Sequence, residues 1–132
     1  RFSKDITAKF SNCTDTTFGC STVDTATPYY FTRLAFDEAG SPWMIYYNQT
    51  NTSVMVARYD GTSAASGTCS AGWVCMTLEN VGARVEEYAV ESFGIVIAAN
   101  GTVWVSYRHN TNNKVRYATY NGSGSGGCGA SW

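Results

Sequence analysis

The residue types needed for catalysis are present in this chain, but their spacing completes no catalytic motif. A Ser-His or Cys-His site needs a nucleophile beside the single histidine, His109, and no Gly-x-Ser-x-Gly elbow is present. His109 lies in a polar stretch typical of a solvated hairpin tip. Glu86 and Glu87 are adjacent, and adjacent residues of a strand point apart, so they are a poor pair of catalytic carboxylates. These patterns favour a non-catalytic protein.

A binding role is better supported, by residues at the ends of two predicted strands. Tyr47 and Asn48 end one strand, and Arg108 and His109 hold the equivalent places 61 residues later. Aromatic rings flanked by asparagine, arginine and backbone groups suit sugar ligands. Sites that recur in repeated units also gain avidity. We therefore predict ligand-binding residues at these four positions, with glycans as the expected ligands.

The equivalence of these positions comes from an internal repeat. Residues 40–61 align with residues 101–122 without a gap, with 9 identities in 22 positions. Chance would give roughly one or two in a chain of this composition. The strands must therefore be positioned in the same way in both halves.

The repeat predicts several β-strands in each half. The expected strands are residues 31–36, 42–47, 54–59 and 73–78, then residues 88–98, 102–107 and 114–120. Gly40 is expected at positive φ, and Asn100-Gly101 is expected to form a tight hairpin. The fourth strand of the second half would begin at Trp132, and residues 18–23 are a fourth-strand look-alike.

Strands that are apolar on both faces, four to a unit, predict an all-β fold of β-propeller-type blades. We expect two four-stranded antiparallel blades, residues 29–80 and 81–132, the second lacking its last strand. Residues 1–28 would supply an N-terminal strand and a linker. Two blades alone would expose apolar faces and strand edges, so we expect other chains or further sequence to complete them.

The first repeat resembles those of secreted β-propellers of the broad Asp-box and sialidase-like kind. Asp37-Glu-Ala-Gly40-Ser-Pro-Trp43 is similar to the Asp-x-Gly-x-x-Trp motif, with one additional residue before Gly40, and Ala98 replaces the aspartate in the second repeat. The resemblance implies a propeller fold. It also implies, as an alternative, a sialidase-like glycosidase, for which the chain offers Arg33, Arg58, Arg108, Arg116, Tyr47 and Glu91.

Self-association is a second functional hypothesis. Residues 18–23 would complete a blade built from strands like residues 92–120 of another copy, giving a closed ring or a filament. The protein would then be a structural subunit of an extracellular assembly, built by strand exchange between copies.

The cysteines and sequons indicate a secreted protein. Of five cysteines, Cys13 with Cys20 and Cys69 with Cys75 predict two local disulfides, while Cys128 has no assigned partner. One histidine and these spacings do not predict a zinc site. Sequons occur at Asn12, Asn48, Asn51, Asn100 and Asn121, although a chain this rich in Asn, Ser and Thr also produces them by chance.

Composition limits the remaining partners. The net charge is −1, with nine Lys plus Arg against ten Asp plus Glu, so no basic excess predicts nucleic-acid binding. No apolar run approaches the roughly 18 residues of a membrane span. We expect no cofactor and no metal.

Overall fold

The structure, a computed structural model, describes residues 22–25, 32–82, 93–109, 111–122 and 132. In these ranges the chain forms two antiparallel sheets and no helix, so the predicted all-β fold is confirmed. The first sheet contains β1 (Arg33–Phe36), β2 (Pro42–Asn48), β3 (Ser53–Tyr59) and β4 (Trp73–Asn80). The second contains β5 (Gly94–Ile97), β6 (Val103–His109) and β7 (Lys114–Thr119).

Neighbours along the chain are antiparallel neighbours in each sheet. Short turns join them, except that residues 60–72 form a longer connection between β3 and β4. In the turn after β1, an aspartate side chain supplies the hydrogen bonds that close the turn. Asp37 Oδ1 accepts a hydrogen bond from Ser41 N at 2.8 Å, and its Oδ2 accepts one from Trp43 Nε1 at 3.1 Å. Gly40 has φ +79°, which a glycine adopts without steric cost.

The repeat is visible in the backbone as well as in the residue types. Gly40 and Gly101 have φ of 79° and 81°, and Gly61 and Gly122 have 71° and 74°. Among described non-glycine residues, positive φ occurs at Thr52 and Asn113, which are also 61 positions apart. The same hairpins are therefore built twice.

The second sheet repeats the structure of the first up to the position where a fourth strand would begin. Trp73 packs edge-on against Tyr59 with ring centroids 5.2 Å apart, and Trp132 packs against Tyr120 in the same way at 5.4 Å. The indole nitrogens of both tryptophans are buried with no hydrogen-bond partner within the described ranges. Trp132 thus holds the place from which β4 starts in the first sheet, as the repeat predicts.

The main core lies between the two sheets. One face of the first sheet meets one face of the second in a cluster of buried residues: Trp43, Ile45, Tyr47, Val54, Val56, Leu78, Val81, Val103, Val105, Tyr107, Ala118 and Trp132. The far face of the first sheet forms a second cluster of Met44, Tyr46, Met55, Ala57, Cys69 and Trp73, with Val23 packed on it. Both faces of the first sheet are therefore covered.

The two sheets pack with non-equivalent faces in contact: one face of the first sheet meets the opposite face of the second. Val54 and Val56 of the first sheet are fully buried against the second, whereas their equivalents Val115 and Tyr117 are 84% and 72% exposed. Equivalent residues thus point the same way along the stack. No closed or propeller arrangement is found in the part of the chain that the structure describes.

Candidate functional site

The two long hairpins end at the same end of the molecule, where the segment after β4 joins them. Val81 N donates to Thr52 O at 3.0 Å, and Thr111 N donates to Val81 O at 3.2 Å. Gly82 has φ +78°, and a Cβ there would collide with the Thr111 hydroxyl. We call residues 48–53, 80–82, 109 and 111–114 the hairpin end.

The four predicted ligand-binding residues all lie at or next to the hairpin end. Tyr47 is 2% exposed and donates from its hydroxyl to Gly82 O at 3.0 Å. Asn48 is also buried, and its Oδ1 accepts from Thr50 N at 3.0 Å, which closes the turn. Tyr47 and Asn48 therefore hold the first hairpin in place, and their ligand-binding role stays a prediction.

Arg108 and His109 are more accessible to solvent but also contact neighbours. Arg108 Nε donates to Asn113 Oδ1 at 2.9 Å, and its Nη2 donates to the same oxygen. His109 Nε2 lies 3.6 Å from Glu79 Oε1, and its Nδ1 is buried without a hydrogen-bond partner among the described residues. The second hairpin thus presents a guanidinium that a neighbouring amide orients.

A polar cluster around Glu79 joins the two sheets next to the hairpin end. Glu79 Oε2 accepts from Tyr107 Oη at 2.7 Å, and Oε1 accepts from Arg116 Nη1 at 2.5 Å. The register of β3 with β4 shifts between Val54 and Met55, and at this β-bulge Leu78 and Glu79 both reach the second sheet. The bulge therefore directs the Glu79 carboxylate toward the second sheet.

A second carboxylate meets the equivalent tyrosine on the first sheet. Tyr46 Oη donates to buried Asp24 Oδ2 at 2.6 Å. Burial, and then the Asp24 carboxylate, raise the pKa of Tyr46 well above its usual range. Because residues 18–23 align with residues 73–78, Asp24 aligns with Glu79, as Tyr46 aligns with Tyr107. We call these two contacts the carboxylate–tyrosine clasps.

The segment that carries Asp24 is docked on its own first sheet. Ser70 N donates to Val23 O at 3.0 Å, Thr25 N donates to Thr68 O at 2.8 Å, and Val23 packs on the second cluster. Residues 18–21 of the predicted exchange strand lie outside the described residues. The sequence holds one signal for the two carboxylates: the alignment of residues 18–23 with residues 73–78, extended by one position, pairs Asp24 with Glu79.

The outer face of the second sheet carries a group of exposed apolar side chains. Val96, Trp104, Val115 and Tyr117 are 60%, 42%, 84% and 72% exposed. The rings of Trp104 and Tyr117 stack with centroids 6.0 Å apart and planes 28° apart. We call this surface, with Ser106 among these residues, the outer face.

The residue types considered for a glycosidase are not gathered at one place in the described ranges. Arg58 lies over the Trp43 ring at 5.6 Å, and Arg33 is exposed on β1. Among the described residues, Arg116 is the arginine that joins a tyrosine–glutamate pair, and that pair is Tyr107 with Glu79. Glu86, Glu87 and Glu91 lie outside the described residues.

The disulfide between Cys69 and Cys75 is present and anchors the second cluster. It indicates an oxidising location, which is one of the conditions that the predicted secretion requires. Asn51, Asn100 and Asn121 are exposed, whereas Asn48 is buried. The remaining predicted disulfide and sequon residues, Cys13, Cys20, Cys128 and Asn12, lie outside the described residues.

Within the described ranges, no group of three or more His, Cys, Asp or Glu side chains is placed to hold a metal ion. A search of the same ranges finds no helix of the length and hydropathy that a membrane crossing requires. No protein-family model, curated protein or solved structure matches this chain.

Proposed function

We propose that this chain is an extracellular, non-catalytic module that recognises carbohydrate at the hairpin end. The observation that carries the proposal is the concentration of exposed polar side chains there. The first sheet contributes Asn51, and the second contributes Asn112 and Asn113 beside Arg108. The Asn80 amide instead holds the turn, donating to Asn51 O and accepting from Gly82 N. Both hairpins are held together through Val81, so these groups form one surface.

The chemistry of these groups suits sugar hydroxyls. An asparagine amide carries two N–H donors and an acceptor oxygen, and a sugar hydroxyl both donates and accepts. The Asn113 oxygen accepts from Arg108, so Asn113 contributes donors. The guanidinium of Arg108 is already oriented by Asn113, which lowers the entropy lost when a ligand binds. A polyhydroxylated ligand, rather than an apolar one, matches this surface.

A non-catalytic role fits the surroundings of the tyrosine–glutamate pair. Tyr107 is fully buried, and its hydroxyl is directed at Glu79 in the core between the sheets. A nucleophile must reach its substrate, and this side chain contacts protein instead. The cluster therefore serves the contact between the sheets.

A propeller-type architecture is part of the same proposal. Its support is the stacking of equivalent faces in one direction, since each blade of a propeller packs against the next in that way. In such an architecture the hairpin ends of successive blades lie side by side, and weak sites gain avidity.

A glycan array probed with the labelled chain tests this function. We expect captured glycans, with affinity lowered about tenfold by Arg108→Ala and by Asn112→Ala, since each removes about 1.4 kcal/mol of hydrogen bonding. Arg33→Ala, which removes an exposed guanidinium from β1, is the control and should bind normally. An array without binding, or hairpin variants that bind like the parent chain, would count against the proposal.

The outer face supports a second candidate function, a structural subunit of an extracellular assembly. Exposed apolar patches of this kind often mark protein contacts. Deleting residues 1–23 tests the strand-exchange form of this candidate. Assembly should be abolished if exchange builds it, and a persisting assembly would reject exchange.

A further inference from the structure

The sequons within the described ranges lie at two opposite ends of the sheets. β2 and β6 both run toward the hairpin end, and the turns that precede them lie at the other end, because neighbouring strands are antiparallel. We call these turns, residues 37–41 and 98–102, the turn end. Asn48 and Asn51 belong to the hairpin end, whereas Asn100 belongs to the turn end.

The turn around Asn100 uses the oxygen of its side chain and leaves the nitrogen available. Asn100 Oδ1 accepts from Thr102 N at 3.1 Å. Within the described ranges, Asn100 Nδ2 has no hydrogen-bond partner. The residue is exposed, and a Cβ added at neighbouring Gly101 would meet no atom within 4 Å. The space beside this amide nitrogen is therefore open.

Asn48 belongs to the same type of sequon but is placed differently. Both sequons read Asn-x-Thr, at Asn48-Gln-Thr50 and Asn100-Gly-Thr102. Asn48 is 4% exposed, and its Oδ1 accepts from Thr50 N at 3.0 Å within the first hairpin. An N-linked glycan is bulky and needs the protein surface, so a buried amide has no room for it in the folded chain. The fold thus separates two sequons that the sequence presents as alike.

We propose that Asn100 is an N-glycosylation site and that Asn48 is not. In this reaction Asn100 Nδ2 forms a bond to C1 of the first sugar of a lipid diphosphate-linked oligosaccharide. The bond from C1 to the diphosphate oxygen breaks, the lipid diphosphate leaves with the electron pair, and Nδ2 loses one proton. Asn100 Oδ1 remains an acceptor for Thr102 N, so the modification leaves the turn intact.

This site goes beyond the proposed carbohydrate recognition and does not rest on it. Because Asn100 lies at the turn end, its glycan leaves the hairpin end uncovered. The Cys69–Cys75 disulfide indicates an oxidising compartment, and the lumen of the endoplasmic reticulum, in which eukaryotic sequons are glycosylated, is such a compartment.

Glycopeptide mass spectrometry on the chain secreted from eukaryotic cells tests the proposal. Fragmentation assigns each glycan to its asparagine, and we expect a glycan on Asn100 in most copies and none on Asn48. Thr102→Ala removes the sequon but keeps Asn100 and the backbone N–H that its oxygen binds, so this variant should lose the Asn100 glycan completely. Thr50→Ala is the matched control at the Asn48 sequon and should leave the glycosylation pattern unchanged.

The glycopeptides of the parent chain decide the question even where a variant fails to fold. An unmodified Asn100 in the secreted parent, or a glycan on Asn48, would overturn the proposal. A glycan on Asn100 that persists in Thr102→Ala would also overturn it, because the modification would then not depend on the sequon. A glycosylated Asn100 together with a blank glycan array would support this site and reject the proposed carbohydrate recognition alone.

Discussion

Asp37 and Ala98 occupy equivalent places in two turns with the same backbone hydrogen bonds, but different side chains close the two turns. Both turns carry the same backbone hydrogen bonds, with Gly40 N donating to Asp37 O and Gly101 N donating to Ala98 O. In the first turn the carboxylate also ties Ser41 N and the Trp43 indole to the turn. In the second turn Asn100 Oδ1 accepts from Thr102 N, the equivalent of Ser41 N, at 3.1 Å. This hairpin therefore forms without the aspartate when another side chain closes the turn.

We expect Asp37→Asn to lower the free energy of unfolding at pH 7 by about 1 kcal/mol, because it weakens two hydrogen bonds. The hydrogen bond from Ser41 N is the main reason that the folded-state pKa of Asp37 lies below its ordinary value of 3.8. A lowered folded-state pKa adds stability above the unfolded-state pKa, and that stability is lost as pH falls through the folded-state pKa.

Urea denaturation at pH values from about 7 down to about 2 measures this effect. The variant should show a weaker loss of stability below pH ~4 than the parent chain. Asp60 remains in both proteins, and hydrogen bonds from Ser63 hold its pKa at about 2. Glu38→Gln, in the same turn, is the control. A variant with the parent's full pH dependence would contradict this role of Asp37.

Among the elements, β4 determines how the two sheets are joined. Its bulge lets Glu79 reach Tyr107 and Arg116 of the second sheet, while Leu78 fills the core beside it. Asp24 makes the corresponding contact with Tyr46 on the far side of the first sheet. A carboxylate at the end of a fourth-strand sequence thus contacts the next sheet twice in this chain.

A double-mutant cycle on Glu79 and Tyr107 tests whether this contact joins the sheets. We expect Glu79→Gln and Tyr107→Phe each to destabilise the chain, with a coupling free energy of about 1 kcal/mol, because the two groups share a partly buried hydrogen bond. The same cycle with Tyr59→Phe in place of Tyr107→Phe should be additive within about 0.5 kcal/mol. An additive Glu79–Tyr107 cycle would show that the contact contributes nothing to stability.

Strand positions were predictable from the sequence because alternation and turn residues are local signals. The expected strands at residues 42–47, 54–59 and 114–120 match β2, β3 and β7 to within about one residue at each end. The positive φ expected at Gly40 is confirmed. The part of the strand expected at residues 88–92 lies outside the described residues.

The contacts between sheets could not be predicted in the same way. The bulge that aims Glu79 depends on pairing between β3 and β4, which residue types alone do not encode. Trp43 and Trp104 are the same residue at equivalent positions of the repeat, yet Trp43 is buried and Trp104 is 42% exposed. Their difference comes from the neighbouring sheet, so the local sequence carries no signal for it.

At the scale of the whole molecule, the direction of stacking decides which surfaces remain open. Because the two sheets are copies stacked the same way, covering a face of the first leaves the equivalent face of the second exposed. A symmetric sandwich would have buried equivalent faces against each other and left no such surface. The exposure of the outer face follows from this asymmetry.

Val54 and Val115 test the stacking most directly, because they are the same residue at the same repeat position and differ in burial, at 0% and 84% exposed. In dilute solution that keeps the chain monomeric, Val54→Ala should lower the free energy of unfolding by about 2 kcal/mol, since it leaves a cavity between the sheets. Val115→Ala should change it by less than about 0.5 kcal/mol. Equal losses from the two substitutions would contradict stacking in one direction.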